Sequence, residues 1–372
     1  MIKSRKSIIH AVKSSFNLKP WYLIFAVTGR CNLRCAMCFY HENLTRNNQK
    51  HELALTEIEQ IAPHFSNIYQ LTLTGGEPLL RDDCSEIAKT FAKHTPVKRI
   101  TLTTNGTLPE RIKAFVTNFC KTYPNINLSV NLSIDGIREH HDRIRGAPGS
   151  FDRLMKSYDL LDGLMKDWPN LSRATATTVS QINEEEIFEL LEFIDENLKI
   201  EEHGLMLARG DMPDKHLSNV SQERFIELID ILYYKKKKGQ RIVSYAIDDI
   251  YKKRWSSSLR EHQMTDPCFA GEKLLILDEY GNVYPCELLE VLRKNDELNH
   301  HFDEDFVFGN LRRFDYDINR ILKSSKVKKI NQFIRNKGCT CTFECALINN
   351  FYLNRLNWFR ILFKIVKERK VR

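Results

Sequence analysis

No stretch of this 372-residue chain is apolar for the roughly twenty residues that a bilayer-spanning helix needs. Its first twenty residues are basic and polar, with neither an apolar core of signal length nor a small-residue cleavage site. No solenoid repeat runs along it. These absences set aside a membrane-spanning protein and a secreted disulfide scaffold, and the expected compartment is the cytoplasm. Hydrophobic residues make up 42% and charged residues 28%, so the chain is neither disordered nor short of core. Its length suits two domains, or one large α/β domain with an appendage. A net charge of +8 is compatible with acidic partners such as phosphates or anionic lipid. The run Lys235–Lys238 reads as a solvated helix end, and no nucleic-acid partner is expected.

What is present is cysteine, and it is clustered: 31, 35 and 38; 84 and 120 singly; 268 and 286; then 339, 341 and 345. Clustered thiols in a cytosolic chain point to metal or redox chemistry. Cys84 and Cys120 lie in helix-like stretches and read as core residues. The first group, "CNLRCAMC", has the spacing C-x3-C-x2-C. Structural zinc wants four ligands, commonly with a second cysteine pair at short range, and the next cysteine in the chain is Cys84. A cubane 4Fe–4S cluster held by three thiolates has one iron without a protein ligand. That iron can take a small chelating molecule through an amino group and a carboxylate.

Short strand patterns alternate with helix patterns about six times between residues 21 and 210: "WYLIFAVTGR", "IYQLTLTGGEP", "KRITLTTNGTL", "NINLSVNLSIDG", "RATATTVS" and "HGLMLARG" are the strands. This alternation predicts parallel strands joined by right-handed crossovers. The chemically interesting residues follow strands, where barrels and open α/β sheets place their sites. After residue 211 the pattern changes, and residues 266–348 carry five cysteines and a hairpin-like "LLILDEYGNVYPC".

"TGRCNLRCAMCFY" together with "LTGGEPLL" resembles the radical S-adenosylmethionine (SAM) enzymes over about residues 20–210. The resemblance implies a partial (β/α)6 barrel, with Cys31, Cys35 and Cys38 holding a 4Fe–4S cluster whose open iron binds SAM. An electron from a flavodoxin- or ferredoxin-type donor would cleave SAM, and the resulting 5′-deoxyadenosyl radical would take a hydrogen atom from substrate. Gly75, Gly76, Glu77 and Pro78 match the family's motif for the methionine amine. Glycines let backbone approach a ligand closely, and Glu77 or a freed carbonyl would accept from the ammonium. Asn105, Ser133 and Asp135, at strand ends, would hold ribose hydroxyls and the methionine carboxylate. Arg143, with Arg145 as its rival, would pair with that carboxylate, and Phe39 would touch adenine.

The later cysteines, C-x12-G-x4-C followed by a compact group, resemble the SPASM/twitch extension of the same enzymes. A two-cluster module needs seven or eight cysteines, so the five here imply one auxiliary 4Fe–4S cluster. Its expected ligands are Cys268, Cys286 and Cys345, with Cys341 in the fourth place and Cys339 competing for it; a zinc ribbon is the alternative. Glu287 would act as a base toward substrate, as in related maturases. Asp278 and Glu279 are expected to face solvent. The implied organisation is a lead-in (1–20), a core barrel (21–215), a helical connector (216–254), a small cysteine-rich α+β auxiliary-cluster module (255–348) and a basic amphipathic tail (349–372). The tail either packs on the barrel or makes weak contact with a membrane surface. The expected function is that of a radical SAM oxidoreductase or maturase acting on a small metabolite such as a sugar or cell-envelope precursor. Modification of a ribosomally made peptide is the alternative, disfavoured because only about twenty residues precede the first strand. A zinc-binding non-enzyme is the remote reading.

Overall fold

A computed structural model describes residues 19–41, 51–200, 202–235, 242–261 and 263–371. Most of the lead-in, and the lysine run apart from Lys235, lie outside the described residues. Six parallel strands, β1 (Tyr22–Thr28), β2 (Gln70–Gly75), β3 (Arg99–Thr104), β4 (Asn127–Ser133), β5 (Leu171–Val179) and β6 (Glu202–Leu207), lie side by side in chain order. The expected six-stranded core is therefore present.

The helices between them are α1 (Leu55–Ile61), α2 (Cys84–His94), α3 (Pro109–Thr122), α4 (Arg138–Arg145), α5 (Ser150–Asp167) and α6 (Ile187–Asn197). All but α4, which buries His141, Ile144 and Arg145, turn apolar residues inward to the core. In α3, Ile112, Phe115, Val116 and Phe119 repeat at three- and four-residue spacing and are buried, after a proline in the first turn. Strand residues sort by the two-residue pleat. Leu71, Leu73, Ile100, Leu102, Leu128, Val130 and Leu132 are buried in the main core. Their alternates Thr72, Thr101, Thr103, Ser129 and Asn131 line a cavity on the other face, inside the barrel. Cys84 and Cys120 are buried core residues, as expected.

Two helices follow, α7 (Gln222–Lys235) and α8 (Ile242–Arg260), and then the hairpin β7 (Leu274–Leu277) and β8 (Asn282–Tyr284). The hairpin is not a separate layer. β7 pairs in parallel with β1, so the sheet continues past the barrel's first strand through β8 to β9 (Gly309–Asn310). Asp278 and Glu279 are buried, against the expectation of solvent exposure. The Asp278 carboxylate closes the hairpin turn, accepting from Tyr280 N at 2.9 Å, Asn282 N at 2.8 Å and the Tyr284 hydroxyl at 3.1 Å. Glu279 accepts from the Tyr40 hydroxyl, next to the first cysteine group.

The remaining helices are α9 (Leu289–Lys294), α10 (Ile318–Leu322), α11 (Ser325–Arg335), α12 (Glu344–Leu353) and α13 (Arg355–Val371). α12 closes the barrel at the ends where the strands begin: Cys345, Ile348, Asn349 and Tyr352 face the same cavity as Trp21, Gln70 and Arg99, and the Trp21 indole donates to Asn349 Oδ1 at 2.6 Å. α13 buries Ile361 and pairs Lys364 with Asp249 of α8 at 3.2 Å. Its other side exposes Leu356, Phe359, Leu362, Phe363 and Val366. No helix among the described residues is long and apolar enough to cross a membrane.

Candidate active site and second thiol cluster

The loop after β1 carries Cys31, Cys35 and Cys38 into one cavity of about 180 Å³ at the strands' C-terminal ends. Phe39, Gly75, Gly76, Asn105 and Ser133 share that lining, so those five predicted residues are brought together with the thiols. Burial pushes the thiol of Cys31 up to about 11 and that of Cys38 up to about 12, and the neighbouring Cys35 charge adds to both. Such thiols become thiolates at neutral pH only with a metal's positive charge beside them. Donors already face the sulfurs: Leu33 N stands 3.4 Å from Cys31 Sγ, and the Arg145 guanidinium 3.6 Å from Cys35 Sγ.

The glycine pair has a tighter reason than ligand approach. The end of β2 presses against the cysteine loop, with Gly76 N donating to Thr28 O at 2.9 Å and Glu77 N to Arg30 O at 2.7 Å. A Cβ at Gly75, whose φ is +131°, would come within 2.3 Å of Thr28 O, and one at Gly76 within 2.1 Å of Arg30 O. Glu77 does not line the cavity. It is fully buried and accepts from Leu79 N at 3.1 Å, the Thr104 hydroxyl at 2.9 Å and Asn105 N at 2.8 Å. It ties the loop after β2 to the loop after β3, and burial raises its pKa to about 7. Pro78 opens the short turn behind it and is also away from the lining.

Arg143 is exposed, while Arg145 lines the cavity. Two residues along a helix are about 200° apart, so α4 can present only one of the pair to the site. Arg145 pairs with Asp135 at 2.5 Å. Asp135 is buried beneath the lining and accepts from Thr178 N at 2.7 Å. It positions Arg145 and does not face the cavity.

A second cavity, of about 220 Å³, is lined by Cys268, Cys286, Cys339 and Cys341. Burial raises all four thiols and their mutual charges raise Cys286, Cys339 and Cys341 further. Cys345 is not among them. It lies in the first turn of α12 and lines the barrel interior together with Glu344 and Tyr22. Both Cys339 and Cys341 line this cavity, and Cys345, expected as a ligand, is not on its lining. Among the described residues, no three His, Cys, Asp or Glu side chains converge closely enough for a single metal ion. Thiols spread around a cavity suit a polynuclear cluster, whose ligands sit on different irons, better than one zinc with four sulfurs at about 2.3 Å.

Between the two thiol groups lies Arg209, just beyond β6. It bonds Glu344 at 2.6 Å and Glu287 at 3.4 Å, stacks 5.0 Å from the Phe343 ring, and lines the first cavity. Glu287 lines neither cavity; Glu344 lines the barrel interior. Arg209 and Glu344 were missed by the sequence reading, although Arg209 follows a strand end as the other site residues do.

Residues 25–194 match the model of the radical SAM superfamily, and residues 268–346 match SPASM, an iron–sulfur cluster-binding domain. The chain is 30% identical over 297 residues to an AdoMet-dependent heme synthase of Methanosarcina barkeri, covering 74% of this chain and 79% of that one. It is 26% identical to the antilisterial bacteriocin subtilosin biosynthesis protein AlbA of Bacillus subtilis, over 88% of this chain and 65% of that protein. It spans 48% of the GTP 3′,8-cyclase of Pasteurella multocida, at 29% identity over 41% of this chain. Among solved structures, native anSMEcpe with bound AdoMet superposes with a TM-score of 0.59 at 17% identity, covering 94% of this chain and 98% of that one, which is a likeness of fold. The chain therefore belongs to the radical SAM superfamily, as an enzyme of the SPASM-bearing kind that works with a core 4Fe–4S cluster, SAM and an auxiliary 4Fe–4S cluster.

Proposed function

We propose that this enzyme takes a hydrogen atom from a small polar metabolite, such as a sugar or cell-envelope precursor, held inside its barrel. The observation that carries this is the interior cavity of about 250 Å³. Its sheet wall presents Thr72, Thr101, Thr103, Ser129 and Asn131, apolar and aromatic side chains such as Leu205, Tyr251, Trp255 and Ile348 complete the lining, and Arg99 pairs with Glu202 at 3.5 Å where the strands begin. Thr103 and Met206 line both this cavity and the one with the three cysteines, so the two spaces adjoin. The volume lies below the roughly 300–1,000 Å³ usual for ligand pockets and suits one ring better than a haem-sized macrocycle. When bound, the core cluster and SAM supply the 5′-deoxyadenosyl radical that removes the hydrogen.

In this reading Cys31, Cys35 and Cys38 hold the core cluster and Arg145 places a fixed positive charge beside them. Ser133 and Asn105 contact ribose, and Phe39 contacts adenine. Cys268, Cys286, Cys339 and Cys341 hold the auxiliary cluster. Glu344 takes the place next to substrate expected for Glu287, because only Glu344 lines the interior. A flavodoxin- or ferredoxin-type protein supplies the electrons.

Peptide modification is the second reading, favoured by the likeness to the bacteriocin biosynthesis protein; there, a single polar side chain would enter the cavity. The two separate in one assay. Dithionite-reduced enzyme with SAM should form 5′-deoxyadenosine faster with nucleotide-activated sugars or muropeptide precursors than with unmodified peptides. Stimulation by peptides alone would replace the first reading with the second.

The exposed stripe of α13 suits weak docking on an anionic lipid surface, since Arg355, Arg360 and Lys367 are exposed on the same helix. Replacing Phe359 and Phe363 by serine should leave the melting temperature unchanged, because both rings are already in water, and abolish sedimentation with phosphatidylglycerol vesicles at low salt. Failure of the unaltered protein to bind such vesicles at low salt removes this contact.

A further inference from the structure

Two helices of the later segment complete the interior cavity opposite the sheet wall. Asn349 and Tyr352 of α12 line it and, three residues apart, share one helix face. α8 packs against α12 with the Tyr251 and Phe351 rings 5.3 Å apart, and its Trp255 joins the same lining. Each of the three carries a polar atom with no hydrogen-bond partner among the described residues: Trp255 Nε1, Asn349 Nδ2 and the Tyr352 hydroxyl, on residues that are 5%, 3% and 0% exposed. Buried polar groups are rarely left unbonded. All three are donors. An indole N–H can only donate. Asn349 Oδ1 already accepts from the Trp21 indole at 2.6 Å, which orients the amide and leaves its NH2 end over. Burial drives the Tyr352 phenol well above its ordinary value, so it keeps its proton. Apart from His203, the charged side chains on this lining among the described residues are one guanidinium, Arg99, and two carboxylates, Glu202 and Glu344. An anionic ligand group would meet more negative charge than positive there. A hydroxyl would bring a further donor to a set of donors. A carbonyl oxygen accepts through two lone pairs, donates nothing and carries no net charge.

We propose that Trp255, Asn349 and Tyr352 bind an uncharged amide carbonyl of the substrate, so that the enzyme acts on an N-acylated compound such as an N-acetyl amino sugar. The inference rests on the reading that a small metabolite occupies the barrel interior. Within that reading it divides the cavity by chemistry. The threonines, Ser129 and Asn131 of the sheet wall both donate and accept, which suits the hydroxyls of a sugar ring. The helix side takes the acyl group, its oxygen toward the three donors and its alkyl end against Ile348 and Tyr251 of the same lining. A free amine in that place would set an ammonium, which only donates, against three donors. A carboxylate would add its charge to those of Glu202 and Glu344. The helix side therefore selects among sugars by the group they carry on nitrogen.

The test is calorimetry on the anaerobically reconstituted holoenzyme with SAM, left unreduced so that nothing turns over. The probes are N-acetylglucosamine, glucosamine, glucose and glucuronic acid. N-acetylglucosamine should bind about tenfold or more tightly than the other three. Tyr352→Phe removes only a hydroxyl that bonds nothing in the unligated protein, so its melting temperature should not fall. It should weaken N-acetylglucosamine binding roughly three- to tenfold, the effect of one hydrogen bond. Asn349→Asp keeps an acceptor for the Trp21 indole and exchanges the NH2 donor for a carboxylate oxygen. It should turn the preference toward glucosamine, whose ammonium that oxygen can accept from. Glucose or glucuronic acid bound as tightly as N-acetylglucosamine by the unaltered enzyme overturns the amide assignment and leaves the small-metabolite reading in place. N-acetylglucosamine binding that neither variant changes overturns it as well, since the amide would then lie elsewhere. If none of the four sugars binds, the proposal fails. The response of 5′-deoxyadenosine formation to peptides, in the assay above, then decides separately whether the small-metabolite reading falls with it.

Discussion

Replacing Cys31, Cys35 and Cys38 together by alanine is expected to abolish 5′-deoxyadenosine formation while leaving roughly four irons per chain. The three thiols share a cavity that contains none of the later cysteines, and four of the later five share another that contains none of these. The two iron sites are therefore separable by substitution. The folded barrel should tolerate the change, because the loop is anchored by backbone bonds that do not use the thiols: Arg34 N to Arg145 O at 3.2 Å and Ala36 N to Ile144 O at 3.0 Å. Iron analysis and product chromatography after anaerobic reconstitution read both halves of the expectation. Residual 5′-deoxyadenosine above the level without enzyme would mean that the cluster which cleaves SAM is held elsewhere.

Arg209→Leu should cost about 3–5 kcal/mol of stability, the usual penalty for leaving buried charges without their partner. The guanidinium serves two carboxylates at once, and Arg209, Glu287 and Glu344 have side chains only 11%, 17% and 14% exposed. Burial raises the pKa of both acids, with Arg209 opposing the shift. Without it, two desolvated acids must either protonate or repel. A triple variant that also carries Glu287→Gln and Glu344→Gln removes the charges together with the cation, and should recover part of the loss. Anaerobic denaturant titration compares the variants. An Arg209→Leu midpoint equal to that of the unaltered protein would show that the ion group contributes nothing to stability.

The core fold could be read from sequence because its signals are local. Strand and helix periodicities alternate over short windows, and three cysteines within eight residues need no tertiary knowledge to be noticed. The inner threonines of "LTLT" and "TLTT" follow from the pleat once the outer leucines are assigned to helices. What escaped depended on direction or on distance along the chain. Arg143 and Arg145 are chemically alike, and only the rotational phase of α4 against the cysteine loop separates them. Cys345 stands in a helix that starts at Glu344 and lines the barrel interior, a direction that its spacing from Cys339 and Cys341 does not reveal. Asp278 and Glu279 looked like exposed turn residues because nothing local announces that β7 will lie against β1, some 250 residues earlier in the chain.

That pairing has a consequence for how the protein is made. β1, with the sequence Tyr-Leu-Ile-Phe-Ala-Val-Thr, is buried along its whole length and has β2 on one side and β7 on the other. On the ribosome, β2 emerges soon after β1, but β7 follows only after about 250 further residues, a delay on the order of tens of seconds at typical synthesis speeds. Through that interval the nascent barrel presents an apolar edge with unpaired backbone groups, the kind of surface that recruits other chains. The segment that carries the auxiliary thiols is thus also the cover of this edge, and a polypeptide released before residue 274 would be prone to aggregate whatever its iron content.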